Sequence, residues 1–454
     1  SRSAQGTPMH RESLILLTIL LLLLLSLFWI HSSRHSKEVT TPAKPKIPRP
    51  LRPRSPDDCS LCCAQTPPTA PTDPPPPWNH VKSRRGRHKQ IDTEGLACPN
   101  HECRYCGITD TSIHALVGYG SHGKDERIQD IRCQACGCKF TARRDTPLYR
   151  LKTPPQRIGE VLSALAEGLD VAAAVRVFGH AEATILRWLT RSGMHAQRVH
   201  RHLFRNLHLW HIQLDELKTR LRSKSHELWL WVAIDVQTKV IPSLALGPRT
   251  QVLAHTLIHR LRLTLATGCL PVFTSDGLNL YFYALTAHFG SWCQQAGKRT
   301  RQWIVAAALL YGQVKKSYRQ RPVVRVEYRM QWGQIEELKT RLKALGLTGR
   351  LNTAFVERVN LTLRQAIAPL IRRTWGTAQT FLGLESHVEW WRAYYHFIRP
   401  HESLRVQLAQ PLERKGRQIP KRYRSRTPAM AVGITHHRWS VTEFLSFPLP
   451  EALL

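Results

Sequence analysis

The sequence predicts an α/β protein: a mixed five-stranded sheet with helices, preceded by a cysteine-rich ribbon and a short all-helical unit. Three observations carry this. Apolar and polar residues alternate through 207–214 (LHLWHIQL), the period of a half-buried strand, and the runs 227–236 and 239–246 read as two more strands joined by the polar turn 237–238. Helical spacing then takes over at Leu253, Leu257, Leu261 and Leu265, before a short apolar run returns at 270–274. Upstream, two C-x-x-C-G turns stand apart from everything else in the chain.

At 454 residues the chain can form two or three domains, and 42% hydrophobic content lets most of it bury a core. The formal charge of +34 predicts a polyanionic partner, nucleic acid first and an anionic membrane second. Eleven cysteines fall in three groups with two strays, Cys269 and Cys293, which read as small core residues. Tight cysteine spacing on so basic a chain favours metal in a reducing compartment over disulfides.

Residues 1–36 form a hydrophobic N-terminal segment. Within it, 14–30 (LILLTILLLLLLSLFWI) carries no charge and lies at the lower limit for a bilayer span. It is open to three readings: a transmembrane helix, a signal-peptide core without a small-x-small cleavage site, or sequence translated ahead of a later start. Positive charge is heavier after it (Arg34, Lys37, Lys44, Lys46) than before it (Arg2, Arg11), which would keep the remainder cytoplasmic. Residues 37–95 read as a Pro-rich basic linker, since a run such as 74–77 (PPPP) cannot bury a core. Cys59, Cys62 and Cys63 inside it offer half a metal site or an acylation site. The run 82–89 (KSRRGRHK) reads as a solvated arm that helps hold phosphates.

Residues 96–150 read as a zinc ribbon. Cys103/Cys106 and Cys133/Cys136 each offer two thiolates from one tight loop, the glycine allows the reversal, and four sulfurs close a tetrahedron. Cys98, five residues before Cys103, is a competing ligand, and Cys138 a spare. Runs 113–119 and 128–132 supply the strands. Residues 151–202 then show helix, glycine-containing turn, helix: Ile158, Val161, Leu162 and Leu165, then Val171, Ala174, Val175, Val177 and Phe178, a break at Gly179, and Ile185, Leu186, Trp188 and Leu189 inward. That is the helix-turn-helix pattern, with Glu182, Thr184, Arg187 and Arg191 toward DNA. A small helical unit without DNA contact is the plainer alternative.

In 203–405 the first strand delivers Asp215 at its end, and Asp276 (TSDG) follows the strand at 270–274. Thr250 caps the helix between them. Three antiparallel strands, a helix and a further strand is the order of the ribonuclease-H-like fold, whose carboxylates sit on the first strand, after the fourth strand and on a later helix. That later helix is 351–365 (LNTAFVERVNLTLRQ), where Glu357, Asn360 and Arg364 share one face. The basic stretch 298–329, with Lys315 and Lys316 among aromatics such as Trp303, Tyr311, Tyr318 and Tyr328, suits DNA backbone and unpaired bases, or else is an ordinary strand with a basic face. Residues 406–454 read as a loosely held basic tail.

The segments LDEL, TSDGLNLY and VERVNLTLRQ resemble, in that order, the motifs of the insertion-sequence-one family of transposases, over about residues 97–397. RPHESL at 399–404 is similar to the end of the wider integrase-like domain. The resemblance implies a zinc ribbon, a helix-turn-helix and a DDE triad of Asp215, Asp276 and Glu357, with Asn360 and Arg364 as accessory residues. It further implies two Mg²⁺ ions bridging the scissile phosphate, double-stranded DNA partners (the element's terminal inverted repeats and the target) and a homo-oligomer. Expected localisation is cytoplasmic, at the nucleoid, with membrane association if 14–30 is an anchor. The expected alternative is a DNA-binding regulator with a decayed catalytic fold. Among competing carboxylates, Asp235 reads as a strand-end residue, and Glu216 as a poor ligand because it points to the face opposite Asp215. His211 and His288 read as structural.

Overall fold

The computed structural model describes residues 75–78 and 93–450, apart from 125, 224, 295–298, 320–321, 373–375 and 415–416. The expectations for residues 14–30, the linker cysteines and the run 82–89 lie outside the described residues. Among the described residues no helix is long and apolar enough to cross a membrane.

The ribbon is a three-stranded antiparallel sheet of β1 (Leu116–His122), β2 (Ile128–Cys133) and β3 (Lys139–Thr141). Its core is a cluster of its own, built on Leu96, Tyr105, Ala115, Leu116, Ile131 and Phe140 with three of the cysteines. Three helices follow: α1 (Pro155–Ala166), α2 (Val171–Phe178) and α3 (Glu182–Leu203). The Asp170 side chain caps α2 by accepting from the Ala173 amide, and Gly179 at φ 70° ends it, a left-handed stop that glycine adopts without strain.

The main sheet has six strands. β4 (His211–Arg220), β5 (Glu227–Asp235) and β6 (Ser243–Gly247) are antiparallel. Helix α4 (Gln251–Thr264) leads to β7 (Val272–Ser275), which lies parallel to β4. Next come α5 (Leu280–His288), the two-stranded hairpin β8 (Gly290–Gln294) with β9 (Arg301–Val305), and β10 (Leu310–Tyr318), parallel to β7 on its other side. β11 (Val323–Trp332) pairs antiparallel with β10 and forms the edge. The expected five strands therefore become six. β11 escaped notice because both faces of an edge strand meet solvent: Val323, Val324, Arg325 and Val326 are all exposed, so no apolar face alternates with a polar one.

Helices α6 (Ile335–Ala344), α7 (Ala354–Ala366) and α8 (Phe381–Ala393) follow, the last running into a π-helical turn, Tyr394–Ile398. One face of the sheet packs Ile212, Leu214 and Trp231 against α4, α5 and the three N-terminal helices; the other packs Leu217, Leu230 and Val232 against α7 and α8.

The expected loose tail is corrected. After the hairpin of β12 (Val406–Arg414) and β13 (Arg417–Arg424), α9 (Pro428–Ala431) and α10 (Val441–Ser446) dock into the main core, with Phe444, Leu445 and Leu449 fully buried. A capping box on Ser440 and Glu443 starts α10, so the signal S-V-T-E before Phe444-Leu445 was present but masked by the surrounding basic composition.

Helix α3 is long because its second half crosses α8. At the crossing a Cβ on Gly193 would stand 2.2 Å from the Ser386 carbonyl oxygen, so backbone meets backbone there. Gly193→Ala should lower stability by about 3 kcal/mol or more, read as a fall in the denaturant midpoint. An unchanged midpoint would show that the two helices can move apart freely.

Candidate active site and metal centres

Strand β4 builds the site from both of its faces. Gln213 and Asp215, two residues apart, face α7. The Gln213 Oε1 accepts from the Phe355 and Val356 amides, 3.0 Å each, and its Nε2 donates to the Asn352 carbonyl at 2.8 Å. Those contacts satisfy first-turn N–H groups that Thr353 does not cap with its side chain. One turn along the helix, Asn360 Nδ2 donates to Asp215 Oδ2 at 2.8 Å. Gln213 is fully buried, and a buried amide on a strand is a signal that alternation alone passes over.

Asp215 lies within β4 rather than at its end, while Asp276 immediately follows β7, the parallel neighbour. Carboxylate oxygens of Asp215, Glu216 and Asp276 come within 4.8 Å of one another. Glu216 does emerge on the opposite face of β4, where its carboxylate accepts from Tyr281 Oη at 3.0 Å and Arg249 Nε at 2.9 Å. Its exclusion as a ligand is nevertheless corrected. The β7 ladder stops at Ser275, so Asp276 sits beyond it, where groups from both faces of β4 can approach.

Glu357 stands outside that cluster. Its Oε1 accepts from Lys316 Nζ and, at 2.6 Å, from Thr353 Oγ1. It is still near enough to Asp215 and Asp276 to raise both carboxyls. Arg364, further along α7, reaches back toward the Lys218 and Leu370 carbonyls at 3.4 Å. Asp235 is structural: buried, it accepts from the Trp210, His211 and Thr238 amides and the Thr238 hydroxyl. His211 is buried against Thr274 Oγ1, its imidazole pushed down to about 3 by burial, and His288 bonds the Ala284 carbonyl.

Burial pushes the Asp215 carboxyl up to about 7, and Asp276, Glu216 and Glu357 push it further in the same direction. Asp276 and Glu216 are also raised, burial first. Negative charges gathered in a partly dry site, beside an Asn360 Oδ1 that is buried without a partner, form an oxygen-donor set that fits a hard divalent cation.

The sign with pH follows. Folded Asp215 holds a proton that the unfolded chain releases above about pH 4, so stability falls as pH rises from about 4 to 7 and is level beyond. A shift of that size is worth up to about 4 kcal/mol. Asp215→Asn should therefore raise the melting temperature of EDTA-treated protein at pH 8, with little change at pH 4. The same substitution should remove any Mg²⁺-dependent gain. Equal melting curves at pH 8 would rule the strained carboxyl out.

The second centre is sulfur. Cys98, Cys103, Cys133 and Cys136 bring their Sγ atoms within 4.8 Å of one another, with Cys98–Cys136 at 3.6 Å and Cys103–Cys133 at 3.8 Å. A tetrahedron with Zn–S near 2.3 Å has edges of about 3.8 Å, so the four thiols fit zinc. Gly137, at φ 78°, closes the second loop by donating to the Cys133 carbonyl. The first expected pair is corrected: Cys103 partners Cys98, not Cys106, which pairs with Cys98 through a backbone bridge and stands outside the cluster, as does Cys138.

In the segment expected to form a helix-turn-helix, Glu182 and Arg187 are exposed near the start of α3 and Thr184 is half-buried. Two expectations are corrected. Arg191 turns inward and donates to the Tyr149 carbonyl at 2.7 Å, because Tyr149 closes over that side of the helix. Leu186, expected inward, is 39% exposed. Lys315 is exposed beside Gly277, and Lys316 is the partner of Glu357. Tyr311 is core, its hydroxyl 2.7 Å from Ser275 Oγ, and so is not part of a basic surface. No protein-family model matches the chain, and no curated protein matches it.

Proposed function

We propose that the chain is a DNA transposase resembling the insertion-sequence-one family, with a ribonuclease-H-like catalytic domain that cleaves and joins DNA strands. The observation that carries this is the Asn360–Asp215 bond. It lays the glutamate-bearing helix on the aspartate strand, one turn from Glu357, although these residues are far apart in sequence. The antiparallel β4–β6, the helix α4 and the parallel β7 have the order and pairing that such a domain requires.

Two divalent ions, when bound, supply activation of a water or 3′-hydroxyl and neutralise charge at the scissile phosphate. Asp215 and Asp276 would hold them, with the third carboxylate from Glu357 or Glu216. Lys316 occupies Glu357 until phosphate draws the ammonium away, since lysine binds phosphate as a mobile point charge. Gln213 and Asn360 fix α7 against β4, so the carboxylates keep their spacing as charge enters. Arg187 and Glu182 on α3, with Lys315 by the carboxylates, contact the duplex. The ribbon holds the N-terminal part of that surface in shape.

The Lys316–Glu357 pair also favours a second reading, a DNA-binding regulator whose catalytic site has decayed. An assay with Mg²⁺ and a duplex made from the DNA flanking the gene separates the two. The enzyme yields Mg²⁺-dependent 3′-hydroxyl nicks at the repeat ends and joined products. Tight end binding without nicking, in Mg²⁺ or Mn²⁺, would leave only the regulator.

A further inference from the structure

A second concave site lies outside the carboxylate cluster, where α3 and α4 meet the start of β6 and α8. It is a cavity of about 440 Å³. At its base Arg392 is 4% exposed and Glu389 5%, and the two are paired. Around them, at the exposed mouth, stand Arg201, Arg205 and Arg260. Backbone holds two of these: Arg205 Nε donates to the Arg201 carbonyl at 2.6 Å and Arg260 Nη1 to the Leu244 carbonyl at 2.9 Å. Among the described residues, none of these three has a carboxylate within ion-pair distance, and Glu385 feels Arg260 only from further off. One carboxylate thus faces four guanidiniums, and Arg260 and Arg201 add to the burial that already disfavours the charge on Arg392. An anion is the group that resolves such a cluster.

The walls narrow its identity. Phe204, Pro242, Leu244 and Leu263 are apolar. The hydroxyls of Ser243 and Thr264 are spent on the Leu257 and Leu261 carbonyls. A neutral polyol would leave the guanidinium charge uncompensated, and the volume is too small for a two-chain lipid. We propose that the cavity binds a nucleoside 5′-phosphate, with guanidinium forks on the phosphate oxygens and the base along the apolar wall. The source is either a free nucleotide or the 5′-phosphorylated end of a DNA strand, and the chemistry recognised is the same.

Calorimetric titration of the full chain tests this, with dAMP, deoxyadenosine, and a decanucleotide with and without a 5′-phosphate as probes. dAMP, the phosphorylated strand or both should bind at least tenfold more tightly than the unphosphorylated counterpart. Arg201→Glu and Arg260→Ala should each weaken that binding at least tenfold, whereas Lys343→Glu, which matches the charge change of Arg201→Glu at an exposed position on α6, should not. Leu263→Trp, at the exposed rim, should also weaken it by narrowing the mouth. Binding of dAMP but not the strand makes the ligand a free nucleotide; binding of the strand alone makes it a DNA end. Equal binding with and without phosphate, or wild-type affinity in both arginine variants, overturns the proposal.

Discussion

Asp276→Asn is expected to lower strand cleavage by roughly 10³-fold or more while leaving end binding and fold in place. The size follows from what the carboxylate would do in the proposed transposase: a metal site supplies several kcal/mol of charge stabilisation, and each 1.4 kcal/mol is about tenfold in rate. The fold survives because the amide oxygen of asparagine can still accept the Leu278 amide that Asp276 Oδ1 accepts at 3.0 Å. Like-charge repulsion with Glu357 is relieved at the same time. Single-turnover cleavage of a labelled repeat end, beside a gel-shift titration, measures both quantities. Wild-type cleavage in this variant would remove Asp276 from the chemistry. Paired Glu216→Gln and Glu357→Gln variants then decide which carboxylate is the third ligand. If Glu357 moves in when phosphate displaces Lys316, its loss should match that of Asp276. Glu216→Gln should then cost far less, because an amide oxygen still accepts from Tyr281 and Arg249.

The sequence found β5, α4 and β7 close to their observed bounds, because burial in a packed core leaves its mark on local composition. Where it failed, a different force governed the position. Asp215 was expected at a strand end, yet β4 continues to Arg220, its polar residues stabilised by cross-strand pairs such as Lys218 with Glu227. Glu216 was dismissed on alternation, which holds along a continuous ladder but not opposite the point where the neighbouring strand stops. Arg191 sits at a helical spacing that suits a groove, and only the tertiary position of Tyr149 turns it inward. The C-terminal helices were hidden by charge: the basic hairpin of β12 and β13 precedes them, and the few apolar residues that dock are spread over Trp439, Phe444, Phe447 and Leu449. Gln213 and Arg249 were not picked out because each acts through one distant contact, and no local pattern encodes that.

If the cluster of Cys98, Cys103, Cys133 and Cys136 holds zinc, removal of the metal should be the other large effect, and it separates those four cysteines from Cys106 and Cys138. The ribbon's own core is small and includes the cysteines themselves, so it cannot hold three short strands without a cross-link. Structural zinc contributes about 10–16 kcal/mol at neutral pH, as much as the whole stability of a typical domain at about 5–15 kcal/mol. Cys133→Ser should therefore release the metal and unfold the ribbon up to β3, leaving the six-stranded sheet folded, since its core clusters are separate. Cys133 is the informative choice: it is fully buried at the centre of the cluster, and its hydrogen bond with the Cys98 thiol favours one thiolate among the four sulfurs. Cys106→Ser and Cys138→Ser should keep one zinc per chain and a folded ribbon. Metal analysis by mass spectrometry, with limited proteolysis to locate the unfolded segment, reads the outcome. One zinc retained in Cys133→Ser, or zinc lost in Cys106→Ser, would replace this ligand set with another. Loss of the ribbon should also weaken end binding at least tenfold without changing the cleavage rate of DNA already bound. Only a ribbon that acts on DNA and not on the carboxylates would separate the two measurements in that way.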